Sequence, residues 1–375
     1  MTQFIERDYL QPGNSEAAVP LHDYVNRATL DNIGLVGKKS LYVANKTHDL
    51  RLDAKITGMG YDFDSLENPQ SEVLAQYHKM SIEPSEAFNW VELMSNYINF
   101  KWLLYIPLPK HLDVLKGAAF LRNLSLDIIQ KKQQKLKAGK LEPHEKKDII
   151  AMALAEGGAL STRPDYMADH VMTLLLAGHD PTSAIIQWTI LELSRQPDVQ
   201  RRLRDEIRTY LSPSLESATA ANILDLPYLS AVVNETLRCY PLVPIMFRVA
   251  ARDTTILGHS IPKDTTVVYS PYATNRDRSL WGADADEWNP ERWMAPGCSN
   301  SGGTTTNYAM SSFGHGPRKC PGQHFAQVIL RCLLTALIGR FEVRLTNGSE
   351  MGKPRTGLRN IPCHSWAKLE RVEGW

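Results

Sequence analysis

The sequence carries little that would tie it to a nucleic acid, a membrane or an oxidising compartment. Its 375 residues hold 42 basic against 41 acidic side chains, so no excess charge is left to attract a phosphate backbone. No basic block is long enough to act as a membrane tether. Cysteine is sparse and unpaired. Cys239, Cys298, Cys320, Cys332 and Cys363 are odd in number and lack paired spacing, which argues against a disulfide framework and against zinc and favours a reducing compartment. Long apolar runs are absent too: "VMTLLLAG" falls far short of the ~20 residues a membrane-spanning helix needs. The opening "MTQFIERDYL" is polar, so the chain as it stands is expected to have neither signal peptide nor anchor. Internal repeats are lacking as well. What remains is a composition, 43% hydrophobic and 22% charged, that can bury a large core as a soluble globular protein.

Apolar spacing predicts amphipathic helices near 20 to 35, 67 to 100 and 112 to 138, the last running into the solvated stretch "KKQQKLKAGKLEPHEKKD". From Pro164 a longer pattern begins that is apolar on nearly all faces at its centre, the mark of a helix buried inside a large protein and placed to line a cavity. Helices follow near 198 to 211 and 226 to 240. The β-branched residues of "TTILGHSIPKDTTVVY" predict a small sheet. Near the end, "QVILRCLLTALIGRFEV" reads as a helix stopped by Gly339 and followed by a short strand. The fold class expected is mainly α with peripheral β-sheets.

Four local patterns carry chemistry. In "SSFGHGPRKCPGQHFA", one cysteine sits among glycines, prolines and two basic residues just before a helical stretch. A lone cysteine at a helix start is more often a buried or regulatory thiol. Here, however, the full Phe313-x-x-Gly316-x-Arg318-x-Cys320-x-Gly322 spacing is present. Gly316 and Gly322 would let the backbone approach a flat ligand, Pro321 would occupy the first turn of the helix, and Cys320 would lie at its positive end, where a thiolate is favoured. Arg318 can reach a carboxylate such as a haem propionate, and the loop as a whole presents what an axial haem ligand needs.

The second pattern is "NETLRCYP", where Glu235 and Arg238 share a helical face beside apolar neighbours. If buried, the pair needs a third partner, and Arg292 in "NPERW" is the candidate. The third is Arg248, on an extended segment able to bring Val243, Ile245 and Met246 to a ligand and Arg248 to an acid group. The fourth is "AGHDPTS" at the centre of the long helix. Ala177 and Gly178 are small enough to admit a close ligand, Pro181 removes a helical hydrogen bond and predicts a kink or groove, and Asp180 and Thr182 are polar groups that need partners, water or a task. His179 is given no metal role.

Together these residues resemble the cytochrome P-450 family of haem-thiolate monooxygenases, of the kind found in fungal secondary metabolism. The similarity rests on the cysteine loop, the Glu235/Arg238 pair, "NPERW", "NRDRSLWGADADEW" and "AGHDPTS", and covers nearly the whole chain, 1–375, as a single domain incomplete at its amino terminus. The resemblance implies a helical prism with haem b and its iron held by Cys320, with Phe313, Gly314, Ala177 and Gly178 around the ring and Arg318 and Arg248 on its propionates. It implies that Glu235, Arg238 and Arg292 brace the core, and that Asp180 and Thr182 serve proton delivery. The partners implied are an NADPH-cytochrome P-450 reductase, docked near Arg318 and Lys319, and a small apolar substrate. Neither nucleic acid nor a second copy is expected. A full-length member would sit on the cytosolic face of the endoplasmic reticulum, and this chain without an anchor would be cytoplasmic.

Two departures from the family pattern stand out. Pro181 occupies the position of the threonine that usually follows the acid, so proton delivery falls to Thr182 or to water held by Asp180, or the protein performs haem chemistry that needs no dioxygen. Residues 38 to 58 interrupt what resembles one family segment, from "RATLDNIGLVG" to "MGYDFDSL", as a translated intron or a tolerated surface loop would. Three function classes follow: a monooxygenase, a haem-thiolate isomerase or peroxide-rearranging enzyme, and a non-catalytic fragment.

Overall fold

A computed structural model describes residues 1–10, 16–35, 58–80, 109–141, 145–156, 163–211, 219–346, 360, 362 and 366–374. The expected helical residues 81 to 100, the interruption at 38 to 57 and Cys363 lie outside the described residues.

Helix dominates. The helices are α1 (Thr2–Tyr9), α2 (Leu21–Leu35), α3 (Glu72–Met80), α4 (Pro109–Lys137), α5 (Ile149–Ala155), α6 (Pro164–Arg195), α7 (Pro197–Tyr210), α8 (Ala220–Leu224), α9 (Pro227–Cys239), α10 (Pro271–Thr274), α11 (Arg278–Trp281) and α12 (Gln323–Arg340). Proline is the first residue of five of them, α4, α6, α7, α9 and α10, because its fixed φ suits a helix start and its missing N–H is not needed there. Among the described residues, no helix is long and apolar enough to cross a membrane.

The 32-residue α6 organises the molecule. Its amino-terminal half buries Met167, Ala168, Val171 and Leu175 in a core shared with α2, α3, α4 and α5. Its carboxy-terminal half buries Ile185, Ile186, Ile190 and Leu193 in a second core shared with α7, α9 and α12. The all-round apolar pattern of the sequence is therefore one helix serving two cores. Residues 177 to 183 fall between them.

Strands are short and peripheral. β1 (Glu16–Pro20) pairs antiparallel with β7 (Trp366–Arg371), which pairs with β6 (Phe341–Leu345). β2 (Met246–Val249) pairs with β5 (Thr266–Tyr269), and β3 (Thr254–Ile256) with β4 (His259–Ile261). The β3–β4 loop is Leu257-Gly258, with φ of 50° and 84°, as a tight two-residue hairpin requires. β1 ends where the helix expected near 20 to 35 begins, and its pairing is supplied by β7 from the far end of the chain.

Two boundaries differ from the sequence reading. α12 runs through Gly339 to Arg340, because Gly339 is buried among apolar side chains and packing outweighs its modest helix cost. α12 also begins at Gln323 with Gly322 as its N-cap, so Pro321 precedes the helix instead of opening it. Around the interrupted segment, Met59 N–H donates to Ile33 O at 3.2 Å and Tyr61 N–H to Gly34 O at 3.1 Å. The residues that flank the interruption thus meet as neighbours at the end of α2.

Candidate functional site

The cysteine segment is a loop closed by its own backbone. Cys320 N–H donates to Phe313 O at 2.8 Å, Gly314 N–H to Ser311 O at 3.0 Å and Lys319 N–H to Gly316 O at 3.0 Å. Gly314 and Gly316 have φ of 66° and 73°, in the left-handed region that side chains disfavour. Gly322, at φ −86°, does not need to be glycine for its conformation. These bonds fix the Cys320 main chain and leave its side chain exposed.

That side chain borders a cavity of about 650 Å³, within the ~300–1,000 Å³ span of small-molecule and cofactor sites. α6 contributes Ala177, Gly178, Pro181 and Thr182, and the loop contributes Phe313, Gly314, Arg318 and Cys320. α12 adds Phe325 and Leu330, and the segment before β2 adds Val243 and Met246. The lining is mostly apolar, with Thr182, Ser312, Arg318, Cys320 and His324 as its polar points. Arg318 makes no ion pair with a described carboxylate, so its charge is open to an acid group from a ligand.

α6 continues as one helix through Pro181, which lines the cavity. Pro181 cannot give an N–H to Ala177 O, and beside it Thr182 Oγ1 donates to the next carbonyl, Gly178 O, at 2.9 Å. Gly178 has a second duty. A Cβ there would meet Ile33 Cδ1 at 2.5 Å, so the glycine also lets α2 pack closely against α6.

Asp180 is not among the cavity-lining residues. Its Oδ1 accepts from Tyr77 Oη at 2.9 Å and lies 3.0 Å from His179 Nδ1. His179 Nε2 is 2.9 Å from Asn26 O, so that nitrogen donates. Tyr77 and Asn26 carried no signal in the sequence, because nothing local connects them to residues a hundred positions away. Arg248 also lies off the cavity. It is exposed on β2, where Nη1 donates to Phe247 O at 2.8 Å. Its β-strand position places it on the same face as the cavity-lining Met246.

The remaining described cysteines differ from Cys320. Burial pushes the Cys239 and Cys332 thiols up to about 12, which keeps them protonated. Cys298 lies in the 297–303 loop, its Sγ directed at Pro296 O at 3.7 Å, away from the cavity lining.

Behind the loop, Glu235 and Arg238 are fully buried. Arg238 Nε and Nη2 meet the two carboxylate oxygens at 2.8 and 2.7 Å, and Arg292 Nε reaches Oε1 at 3.0 Å. Trp293 Nε1 and Asn289 N–H, both 2.9 Å away, complete the carboxylate. Arg238 also donates to the carbonyls of Asn275, Ala285 and Glu287 at 2.6–2.8 Å. Arg292 was legible as the third partner; Trp293 and Asn289 were not singled out.

Fold and site together define a mainly helical cofactor-binding protein, with a loop-borne thiol and an arginine facing an apolar cavity across a central helix. The cytochrome P-450 family profile matches residues 57–362, and the chain belongs to that family. It is 40% identical over 95% of its length to cytochrome P-450 monooxygenase FSL4 of Gibberella zeae, covering 62% of that protein. It is 36% identical over its full length to cytochrome P-450 monooxygenase sphH of Aspergillus fumigatus, covering 66%. A third relative, cytochrome P-450 monooxygenase FUM15 of Gibberella moniliformis, is 30% identical over 96% of the chain and covered to 63%. The chain thus spans 62 to 66% of the length of these relatives.

The family implies a haem iron, and the residues present fit one. The cavity is apolar enough for a porphyrin face, an exposed thiol borders it, and Arg318 offers an unpaired charge for a propionate.

Proposed function

We propose that the chain is the haem-binding part of a monooxygenase that inserts one oxygen atom of O₂ into a small apolar substrate, in fungal secondary metabolism. The observation that carries this is Cys320: of the four described cysteines, it alone is exposed and lines the cavity. Bound haem would supply the one-electron and dioxygen chemistry, with a thiolate ligand favouring O–O cleavage. Cys320 is the ligand, and Arg318 and Arg248 hold the propionates. Phe313, Gly314, Ala177 and Gly178 shape the slot. Val243, Met246 and Leu330 exclude water and present an apolar surface to the substrate. Electrons come from an NADPH-dependent reductase on the Arg318 and Lys319 side, at the cytosolic face of the endoplasmic reticulum for the whole protein.

The test is spectroscopic. Reduced, haem-loaded protein under carbon monoxide is expected to show the red-shifted absorption of a thiolate-ligated haem, and Cys320→Ser to abolish it. Retention of that band in Cys320→Ser, with its loss in Cys332→Ser, overturns the assignment.

A second reading rests on Pro181, which puts no hydroxyl where the family usually has one. In the monooxygenase reading, Thr182 holds the proton relay: the residue lines the cavity, and its Oγ1 is anchored on Gly178 O. Thr182→Ala then lowers the product formed per NADPH and releases peroxide, a proton-transfer loss of ~10²-fold or more. Turnover without any reductase, unaffected by Thr182→Ala, selects the isomerase or peroxide-rearranging reading instead.

A further inference from the structure

A second pocket, of about 550 Å³, lies back to back with the first and shares Phe313 and Gly314 with it. Its character is the opposite. Side chains of α9, the 300–307 segment and α12 line it, most of them are polar, and none is acidic.

Arg331 of α12 forms its deep wall. It is 6% exposed, and a buried guanidinium needs compensation for the water it has lost. The other buried arginines among the described residues have it. Arg27 pairs with Asp23 at 2.7 Å and Arg238 with Glu235, while Arg204 donates to Ile338 O, Phe341 O and Gln200 Oε1 at 2.9–3.0 Å. Arg331 has only Ser230 Oγ at 3.2 Å from Nε and Gln327 O at 3.1 Å from Nη1. No described carboxylate pairs with it, and Nη2 donates to no described group. Burial pushes its pKa down, with only the neighbouring Cys332 side chain acting the other way.

Neighbouring groups have the matching chemistry. Lys319 is exposed and makes no ion pair with a described carboxylate, and Asn234, Asn300 and Thr305 present side-chain donors. Gln323 has a buried Oε1 without a partner, and its amide can equally turn an NH₂ into the pocket. A planar fork with open donors, a second cation and a ring of neutral donors without a carboxylate is the set that recognises an oxyanion.

We propose that this pocket is a binding site for a small oxyanion, a phosphate or a carboxylate, gripped by Arg331 and Lys319 behind the cysteine loop. The site is independent of the reaction assigned to the cavity. Titrating the full chain with inorganic phosphate and, separately, with citrate tests it, with sodium chloride at matched ionic strength as control. The readouts are the thermal unfolding midpoint and the heat of binding. A saturable rise in midpoint with phosphate or citrate, absent with chloride, is expected, and the stronger probe identifies the anion class. Arg331→Gln is expected to weaken binding ~10-fold or more, the loss of a charge-assisted contact. Should Arg331→Gln fail to fold, two exposed-site variants decide: Lys319→Gln weakens binding, and Asn300→Asp, which places a carboxylate in the pocket, abolishes it. A response that never saturates, or one undiminished in Lys319→Gln and Asn300→Asp, overturns the proposal.

Discussion

Arg238 of α9 and Arg331 of α12 are both buried, yet they are held in opposite ways. Arg238 has a carboxylate on two nitrogens and three backbone carbonyls besides. Arg331 has a hydroxyl and one carbonyl, and opens on a polar pocket. A buried charge whose every donor is taken up inside the fold has nothing left for a ligand, so its work is to hold segments together. The Glu235 network does this by tying α9 to residues 275 to 293. The same contrast separates Cys332, sealed in the core, from Cys320, held by its backbone and open at its sulfur.

The strongest test of that contrast removes the carboxylate. Glu235→Ala leaves Arg238 and Arg292 without their counter-charge in the interior and is expected to cost about 3 to 5 kcal/mol, enough to lose most folded protein. Arg331→Gln takes away a charge that no acid balances, leaving a hydroxyl and a carbonyl beside a wet pocket, and is expected to cost about 1 kcal/mol. Chemical denaturation of both variants measures the difference. Equal losses would erase the distinction between bracing and open arginines.

How far the sequence displays this difference depends on the range of the interaction. The Glu235/Arg238 spacing, the Arg292 partner and the cysteine loop are local patterns, and all were readable. The long helices from Pro164 onward, α6, α7, α9 and α12, were readable because each carries enough apolar spacing to declare itself, whereas the short α8, α10 and α11 do not. What could not be read is set by distant contacts: β1 takes its identity from β7, Asp180 turns away from the cavity because Tyr77 of α3 and His179 hold it, and the helix start at Gln323 is decided by how the loop folds over Phe313. Arg331 was invisible for the same reason. On paper it is one basic residue in an apolar helix, and only the arrangement of α9 and the 300–307 segment shows that no acid meets it.

A smaller effect sharpens the cysteine half of the comparison. Cys239 and Cys332 are pushed by burial from 9.0 to about 12, so the folded chain holds these protons more tightly than the unfolded chain does. The stability they contribute is complete below about pH 9 and is lost as pH rises toward 12, at no more than ~1.4 kcal/mol per pH unit for each thiol. Unfolding free energy measured between pH ~9 and ~10 is expected to fall, and Cys332→Val to reduce that slope by about half. A slope untouched by Cys332→Val would remove the buried thiol from the pH dependence of stability.

Arg248 offers the finest test, because the fold itself invests almost nothing in it. Its side chain is exposed, one N–H reaches the adjacent carbonyl of Phe247 at 2.8 Å, and its guanidinium lies 5.7 Å from the Tyr269 ring. Arg248→Gln is therefore expected to change stability by no more than about 0.5 kcal/mol. If the side chain instead holds a haem propionate in the loaded protein, its removal gives up a charge-assisted hydrogen bond, and haem should leave ~10-fold faster. The rate of haem transfer to an excess of apo-globin reads this directly, without any assay of turnover. Arg318→Gln, altering a residue that lines the cavity, should accelerate transfer at least as much. Wild-type transfer in Arg248→Gln with faster transfer in Arg318→Gln would leave Arg318 as the propionate partner and return Arg248 to the surface.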